Sequence, residues 1–222
     1  MKRKAEIVST AGRLSRNPGT VFDVLGLSES KTLEQNLSFI KRVVGMGHDS
    51  ITDHDYCVFA IQDVSPVIEQ TIIAERFSSF TIKSRREVDF SKVGFYTPDF
   101  HDEQGNLLDN NEQIKKEYQE HEQSLFNDYA KLVSLGATLE DARFVLPYSY
   151  YSNIIMGVDA HTLKDMIIKY TKTKYSKISE LREFGERLYE IAKEQIPFII
   201  PEIDATPLKL EDGTDKYLKD RV

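Results

Sequence analysis

The sequence predicts a mixed α/β (α+β) fold with a helical C-terminal half. Three observations carry the prediction. Two runs rich in β-branched and aromatic residues, 56–62 and 79–88, each adjoin a segment with helical spacing. From about residue 106 onward, apolar residues recur almost only at helical intervals. No repeat, low-complexity tract or Pro/Gly/Ser-rich linker interrupts the chain, so one domain over 1–222 is expected.

Taken in order, residues 5–9 read as a short strand. Thr32 and Gln35 have capping-box spacing, and Leu33, Leu37, Ile40 and Val44 then follow helical intervals up to Gly45 and Gly47. Residues 56–62 read as a buried strand. Ser65-Pro66, a serine cap with proline at the first helical position, opens a helix toward Arg76. Residues 79–88 alternate like a half-buried strand. Phe95 to Asn110, with Gly105-Asn106, reads as a surface loop long enough to form a lid. Asn106 to Ser134 predicts one long helix or two short ones, striped by Ile114, Tyr118, Leu125, Tyr129 and Leu132. Thr138-Leu139-Glu140-Asp141 starts another, and further helices are predicted over about 149–156, 160–173 and 176–195.

A net charge of -7 argues against a general nucleic-acid or membrane-surface binder. The longest apolar runs are too short to span a bilayer, and no apolar stretch follows the basic N-terminus as a signal peptide would require. A single cysteine, Cys57, excludes an intrachain disulfide and any multi-cysteine metal site. It sits in an apolar run and reads as a packing residue. The expected compartment is the cytoplasm.

Three clusters carry candidate chemistry. Gly47 to His54 holds two histidines and two aspartates, but between a helix and a strand those residues suit a turn better than a metal. Arg76 to Arg86 holds four cations and three serines in an acidic chain. Arginine suits bidentate phosphate recognition, and on a strand Ser84 and Arg86 would share a face able to hold one phosphate. The bland alternative is a solvated basic strand. In Glu140 to Pro147, Arg143 is either a ligand-binding cation or a partner of Glu140 or Asp141.

Together and in this order, the clusters resemble the flavin-dependent thymidylate synthase family from about Thr10 to Gln195. The family's Gly-His-x-Ser/Thr segment is matched by Gly47-His48-Asp49-Ser50, closing on Asp53-His54. Its signature, Arg-His-Arg, seven residues, then serine, reads here as Ala74-Glu75-Arg76, seven residues, Ser84. Two positions beyond, the family's Arg-Tyr is Arg86-Glu87. Its Asp-Ala-Arg element with a following Leu-Pro is matched by Asp141-Ala142-Arg143 and Leu146-Pro147.

The resemblance implies a central, mostly antiparallel sheet flanked by helices. It implies reductive methylation of dUMP to dTMP with methylenetetrahydrofolate, FAD and NADPH, in a homotetramer. It places Ser84, Arg86 and Arg143 on dUMP, and Ser50, Arg76, Ser79, Asp159 and His161 on FAD, with no metal and no certain catalytic residue.

The chain departs from the family mainly on the flavin side. Ala74 and Glu75 replace an Arg-His pair, and Thr81 and Ile82 replace an asparagine and a glutamate. Val158-Asp159-Ala160-His161-Thr162-Leu163 stands for Val-Asn-Ala-Arg-Ser-Leu, and the arginine with which the family binds nucleotide near Tyr170 is missing. A like charge beside a poorly solvated pyrophosphate costs several kcal/mol. Lys169, Lys172, Lys174 and Lys177 could compensate, or simply form a solvated helix face. The alternative function is therefore a non-catalytic, regulatory nucleotide-binding homologue without flavin, or a relative acting on another pyrimidine nucleotide.

Overall fold

The computed structural model describes residues 1–210; the end of the domain expected over 1–222 lies outside the described residues. The elements begin with α1 (Lys2–Leu14), α2 (Val21–Glu29), α3 (Leu33–Val44) and a 3-10 turn (Asp49–His54). Next come β1 (Tyr56–Val64), α4 (Pro66–Ile73), β2 (Ser78–Ile82), α5 (Asn111–Ser134) and α6 (Leu139–Ala142), which runs into a second 3-10 turn (Arg143–Val145). The chain continues through β3 (Ser152–Asp159), α7 (Ala160–Lys172), a 3-10 turn (Lys174–Lys177), α8 (Ser179–Gln195) and α9 (Ile200–Ala205). The fold is mixed α/β, with a small antiparallel sheet in the order β1-β3-β2 and a mainly helical remainder. No helix among the described residues is long and apolar enough to cross a membrane.

The chain forms two compact units, Met1–Cys57 with Gly157 onward, and Val58–Met156. In the first, α1 packs on α2 and α3, and α7 packs on α8 and α9. Capping boxes open α2 at Thr20 with Asp23 and α3 at Thr32 with Gln35, and each satisfies backbone donors that have no helical partner. Gly185 lets α8 approach α7: a Cβ there would lie 2.8 Å from the Cβ of Tyr170. Cys57 is a buried, unpaired thiol beside Lys4 Nζ at 3.3 Å, and burial pushes its pKa up.

In the second unit the core is Phe90, Phe126, Tyr129, Ala142 and Tyr150. The long segment after β2 is fastened to α5. Phe95 stacks on Phe126 at 5.7 Å, Phe100 meets Tyr118 at 5.7 Å, and the Phe100 N–H donates to Asn111 Oδ1 at 2.8 Å. Within that segment, Asp102 accepts the N–H groups of Gln104 and Asn106, which closes a turn at Gly105 (φ 88°). A lid hinged freely at 95–110 is therefore not what this segment forms.

Several expectations are corrected. Residues 5–9 are helical: α1 buries Ala5, Val8 and Ser9, spaced three and four apart, while Ile7 is exposed. The Ile-Val pair suggested a strand, but the burial period is that of a helix. The segment at 149–156 is not a helix but the approach to β3 and most of that strand. β3 buries Ser152, Ile154, Met156 and Val158 on one face while Ile155 on the other is exposed, and the run Ile154-Ile155-Met156-Gly157-Val158 hides this alternation because an apolar residue occupies the exposed position. β1, expected to be buried, alternates instead: Cys57, Ile61 and Val64 are buried while Val58 is 68% exposed. α5 is a single helix starting at Asn111, because 102–107 is taken up by the turn and a bridge between His101 and Leu107. α2 and α9 had not been anticipated.

Candidate functional site

In the second unit, β2 ends at Ile82, not at 88. Ser84 Oγ accepts the Arg86 N–H at 3.2 Å, and Ser84 O accepts the Val88 N–H at 3.1 Å. A side chain that bonds its own backbone in this way favours a turn over the ladder. Ser84 and Arg86 are thus neighbours through a turn and not through a shared strand face, which corrects the expected geometry while keeping the two together.

The structure brings Arg143 to the same place. One carboxylate oxygen, Glu140 Oε1, lies 3.8 Å from Arg86 Nη1 and 3.6 Å from Arg143 Nη2. The three side chains are 56%, 59% and 30% exposed for Glu140, Arg86 and Arg143 respectively. Two guanidinium groups therefore flank an accessible point now occupied by a weakly held carboxylate. Thr138 caps α6 through the Asp141 N–H, which fixes the turn carrying Glu140 and Arg143.

Arg85 is held elsewhere. Its guanidinium donates to the buried Glu69 at 3.0 Å and lies 5.1 Å from the Tyr150 ring centroid. Glu69 also accepts the hydroxyl of Ser152. This anchor sets the path of the chain on which Arg86 remains accessible. The tandem Arg85-Arg86 could not be sorted from spacing; the one hint was Glu69, an acid on an otherwise uncharged helix.

The flavin-side candidates are placed less favourably. In the second unit, Arg76 and Ser79 are both exposed, and Arg76 lies over the Phe77 ring at 5.7 Å. In the first unit, Asp159 is the N-cap of α7: it accepts the Thr162 N–H at 2.7 Å and the Thr162 hydroxyl at 2.8 Å. His161 Nδ1 lies 2.8 Å from Asp53 Oδ1, and His161 Nε2 lies 3.6 Å from Asp49 Oδ2. Beside them, the buried Lys164 ammonium bridges Asp49 and Glu202 at 2.7 and 2.8 Å. Burial pushes the Asp49 carboxyl up, but bonding to Lys164 more than offsets it, and its pKa is lowered. Burial pushes Lys164 down, and its two carboxylate partners raise it above its ordinary value. Tyr170 is fully buried against Phe184 and presents nothing to a ligand.

Ser50 is exposed on the 3-10 turn and lines a cleft of about 400 Å³. The same cleft is lined by Arg16, Arg42, His48 and His54, with Phe39, Val43, Met46 and Ile51 as apolar wall. Nothing in the sequence reading had singled out Arg16 or Arg42.

Fold and site together define a mixed α/β protein in which two arginines converge on one carboxylate beside a serine turn. The sequence model of the thymidylate synthase complementing protein family matches residues 1–198, and the chain belongs to that family. Among curated relatives, the flavin-dependent thymidylate synthase of Geobacter sulfurreducens is 27% identical over 139 residues, 62% of this chain and 57% of that protein. The match thus spans little more than half of that relative's length. Among solved structures, a UMP/dUMP methylase PolB from Streptomyces cacaoi bound with 5-Br dUMP aligns with a TM-score of 0.74 at 20% identity, covering 92% of each chain. The flavin-dependent thymidylate synthase ThyX of Helicobacter pylori, complexed with FAD and dUMP, aligns with a TM-score of 0.62 at 18% identity, covering 84% of this chain and 88% of that one. At these identities the structural likeness bears on the fold.

Proposed function

We propose that the protein methylates a pyrimidine deoxynucleotide, dUMP, and that Ser84, Arg86 and Arg143 bind it. The observation that carries this reading is the meeting of Arg86 and Arg143 on one oxygen of Glu140, beside the Ser84 turn. A nucleotide phosphate is a dianion, and removing it from water requires cations and donors of this kind. In this reading the phosphate takes the place of the Glu140 carboxylate. Arg86 and Arg143 neutralise it, and Ser84 fixes the turn that aims Arg86. The names of the relatives support the same class of reaction with FAD as cofactor, and methylenetetrahydrofolate and NADPH are proposed as the co-substrates. We include in the proposal a homotetrameric assembly, a cytoplasmic location, and one functional domain made of both units.

For FAD, the chain's own side chains give a divided answer. Ser50 lines a cleft with cations and an apolar wall, which suits a phosphate-bearing cofactor with flat rings. Asp159 and His161 are committed to a helix cap and to two aspartates, so they serve the fold of the first unit before any ligand. Arg76 and Ser79 remain exposed and able to bind. When bound, FAD would supply the hydride that completes the transferred methyl group. The commitment of Asp159 and His161 also favours a second reading, a nucleotide-binding homologue without flavin.

The purified chain should be yellow with a flavin spectrum, and should form dTMP from dUMP when methylenetetrahydrofolate, NADPH and FAD are supplied. A colourless protein that gains no thermal stability from FAD would sink the flavin reading, because a ligand bound to the native state must stabilise it. Arg86→Ala and Arg143→Ala should each weaken dUMP binding about tenfold or more by calorimetry; unchanged affinity in both would remove the nucleotide site.

A further inference from the structure

The 3-10 turn at Asp49–His54 packs against α1, α3 and α7, and it sorts its side chains by charge. Asp49 and Asp53 turn to α7, where Lys164 and His161 meet them at 2.7 and 2.8 Å. Ser50, Ile51 and His54 instead line the cleft bounded by α1 and α3, and among the described residues no carboxylate lines it. Opposite them stand Arg16, just past the end of α1, and Arg42, in the last turn of α3.

Among the described residues neither Arg16 nor Arg42 has a carboxylate partner. Arg42 lies over the Phe39 ring at 5.6 Å, and Arg13 lies over the same ring at 4.2 Å. Arg13 is held there by the neutral oxygens of Ser28 and Asn36, each at 2.9 Å. Its pKa is lowered, first by burial and then by the charge of Arg42, so the two cations repel across Phe39. Glu34 lines the adjoining face but pairs with neither of them. In a chain of net charge -7, this is a concave, apolar-walled place where positive charge stands uncompensated.

We infer that this cleft binds the phosphate portion of a ring-bearing cofactor, with Arg16 and Arg42 supplying the cations. The inference deepens the proposed function and rests on it for the identity of the cofactor, FAD. Arginine is suited to this task because its planar fork can bind a pyrophosphate bidentately, and Phe39 and Met46 offer a surface for a flat ring.

The test is a titration of the full-length protein with FAD, followed by flavin fluorescence. The variants are Arg16→Gln, Arg42→Gln and their double, whose long polar side chains keep the helix ends folded; circular dichroism and the melting temperature check this. Each single change should weaken FAD binding about tenfold, and the double further, while dUMP affinity stays within about twofold. Unchanged FAD affinity in a folded double variant overturns the inference. If NADPH binding is lost in the double variant and FAD binding is not, the assignment to FAD is overturned. If the wild-type chain takes no FAD, the flavin reading fails separately, and inorganic pyrophosphate decides. Saturable binding lost in the double variant keeps the cleft as an anion site, and no binding removes it.

Discussion

Glu140 is the residue whose role changes most between sequence and structure. Its spacing to Arg143 suggested an ordinary partner one helical turn away, yet it also reaches Arg86 from a different part of the chain. An exposed pair of this kind contributes about 0.2–1 kcal/mol, so a phosphate dianion should displace it. Glu140→Gln is therefore expected to tighten dUMP binding by about two- to fivefold. Calorimetry checks this; a weaker binder would mean that Glu140 aims the arginines and does not compete with the ligand.

Asp159 shows the converse. Its negative charge looked like an obstacle to a pyrophosphate, and its geometry is that of a helix cap. Asp159→Ala should cost about 1 kcal/mol in urea unfolding, and Asp159→Asn much less, because an asparagine oxygen accepts the same N–H. If the asparagine variant also binds FAD more tightly, the charge and the cap have been separated.

At the scale of elements, the network joining the 3-10 turn, α7 and α9 depends on Lys164. Lys164→Met should destabilise the protein by about 2 kcal/mol near neutral pH, since it leaves Asp49 and Glu202 facing each other without their cation. The sign of its pH dependence follows from the two shifts. Asp49 is lowered from its ordinary 3.8, so its contribution is present above that value and is lost as pH falls through the lower folded value. Lys164 is raised from 10.5, so its contribution is full below that value and is lost as pH rises through the higher folded value. Melting temperatures of wild type and variant should therefore converge at both extremes and differ most between them.

The contact of α7 with α8 is equally exacting. Gly185→Ala would set a Cβ 2.8 Å from Tyr170 Cβ and 2.9 Å from Thr171 Cγ2. Because those atoms sit close to the α7 backbone, they cannot swing away, and a loss of about 1–3 kcal/mol is expected in denaturant unfolding. The capped helices α3, α4 and α7 and the striped but uncapped α8 were readable in the sequence because capping and 3.6-residue periodicity are local properties. α1 and β3 were misread for one shared reason. A run of β-branched or apolar residues does not state which of its side chains will be covered, and that depends on neighbours from elsewhere in the chain.

At the scale of the whole molecule, the order of the motifs placed the chain in its family, and the match of the family over 1–198 agrees. The sequence by itself determined the mixed α/β class, the main helices and the pairing of Ser84 with Arg86, because residue chemistry and local spacing are written along the chain; Arg143 joined them only through the family resemblance. Only the tertiary structure decided which of two tandem arginines is accessible, since Glu69 and Tyr150, which hold Arg85, come from distant positions. Likewise, only the fold turned Asp49 and Asp53 toward α7 and left Ser50 and His54 facing Arg16 and Arg42. Charge acts through space, and the distances that set its strength do not exist until the chain has folded.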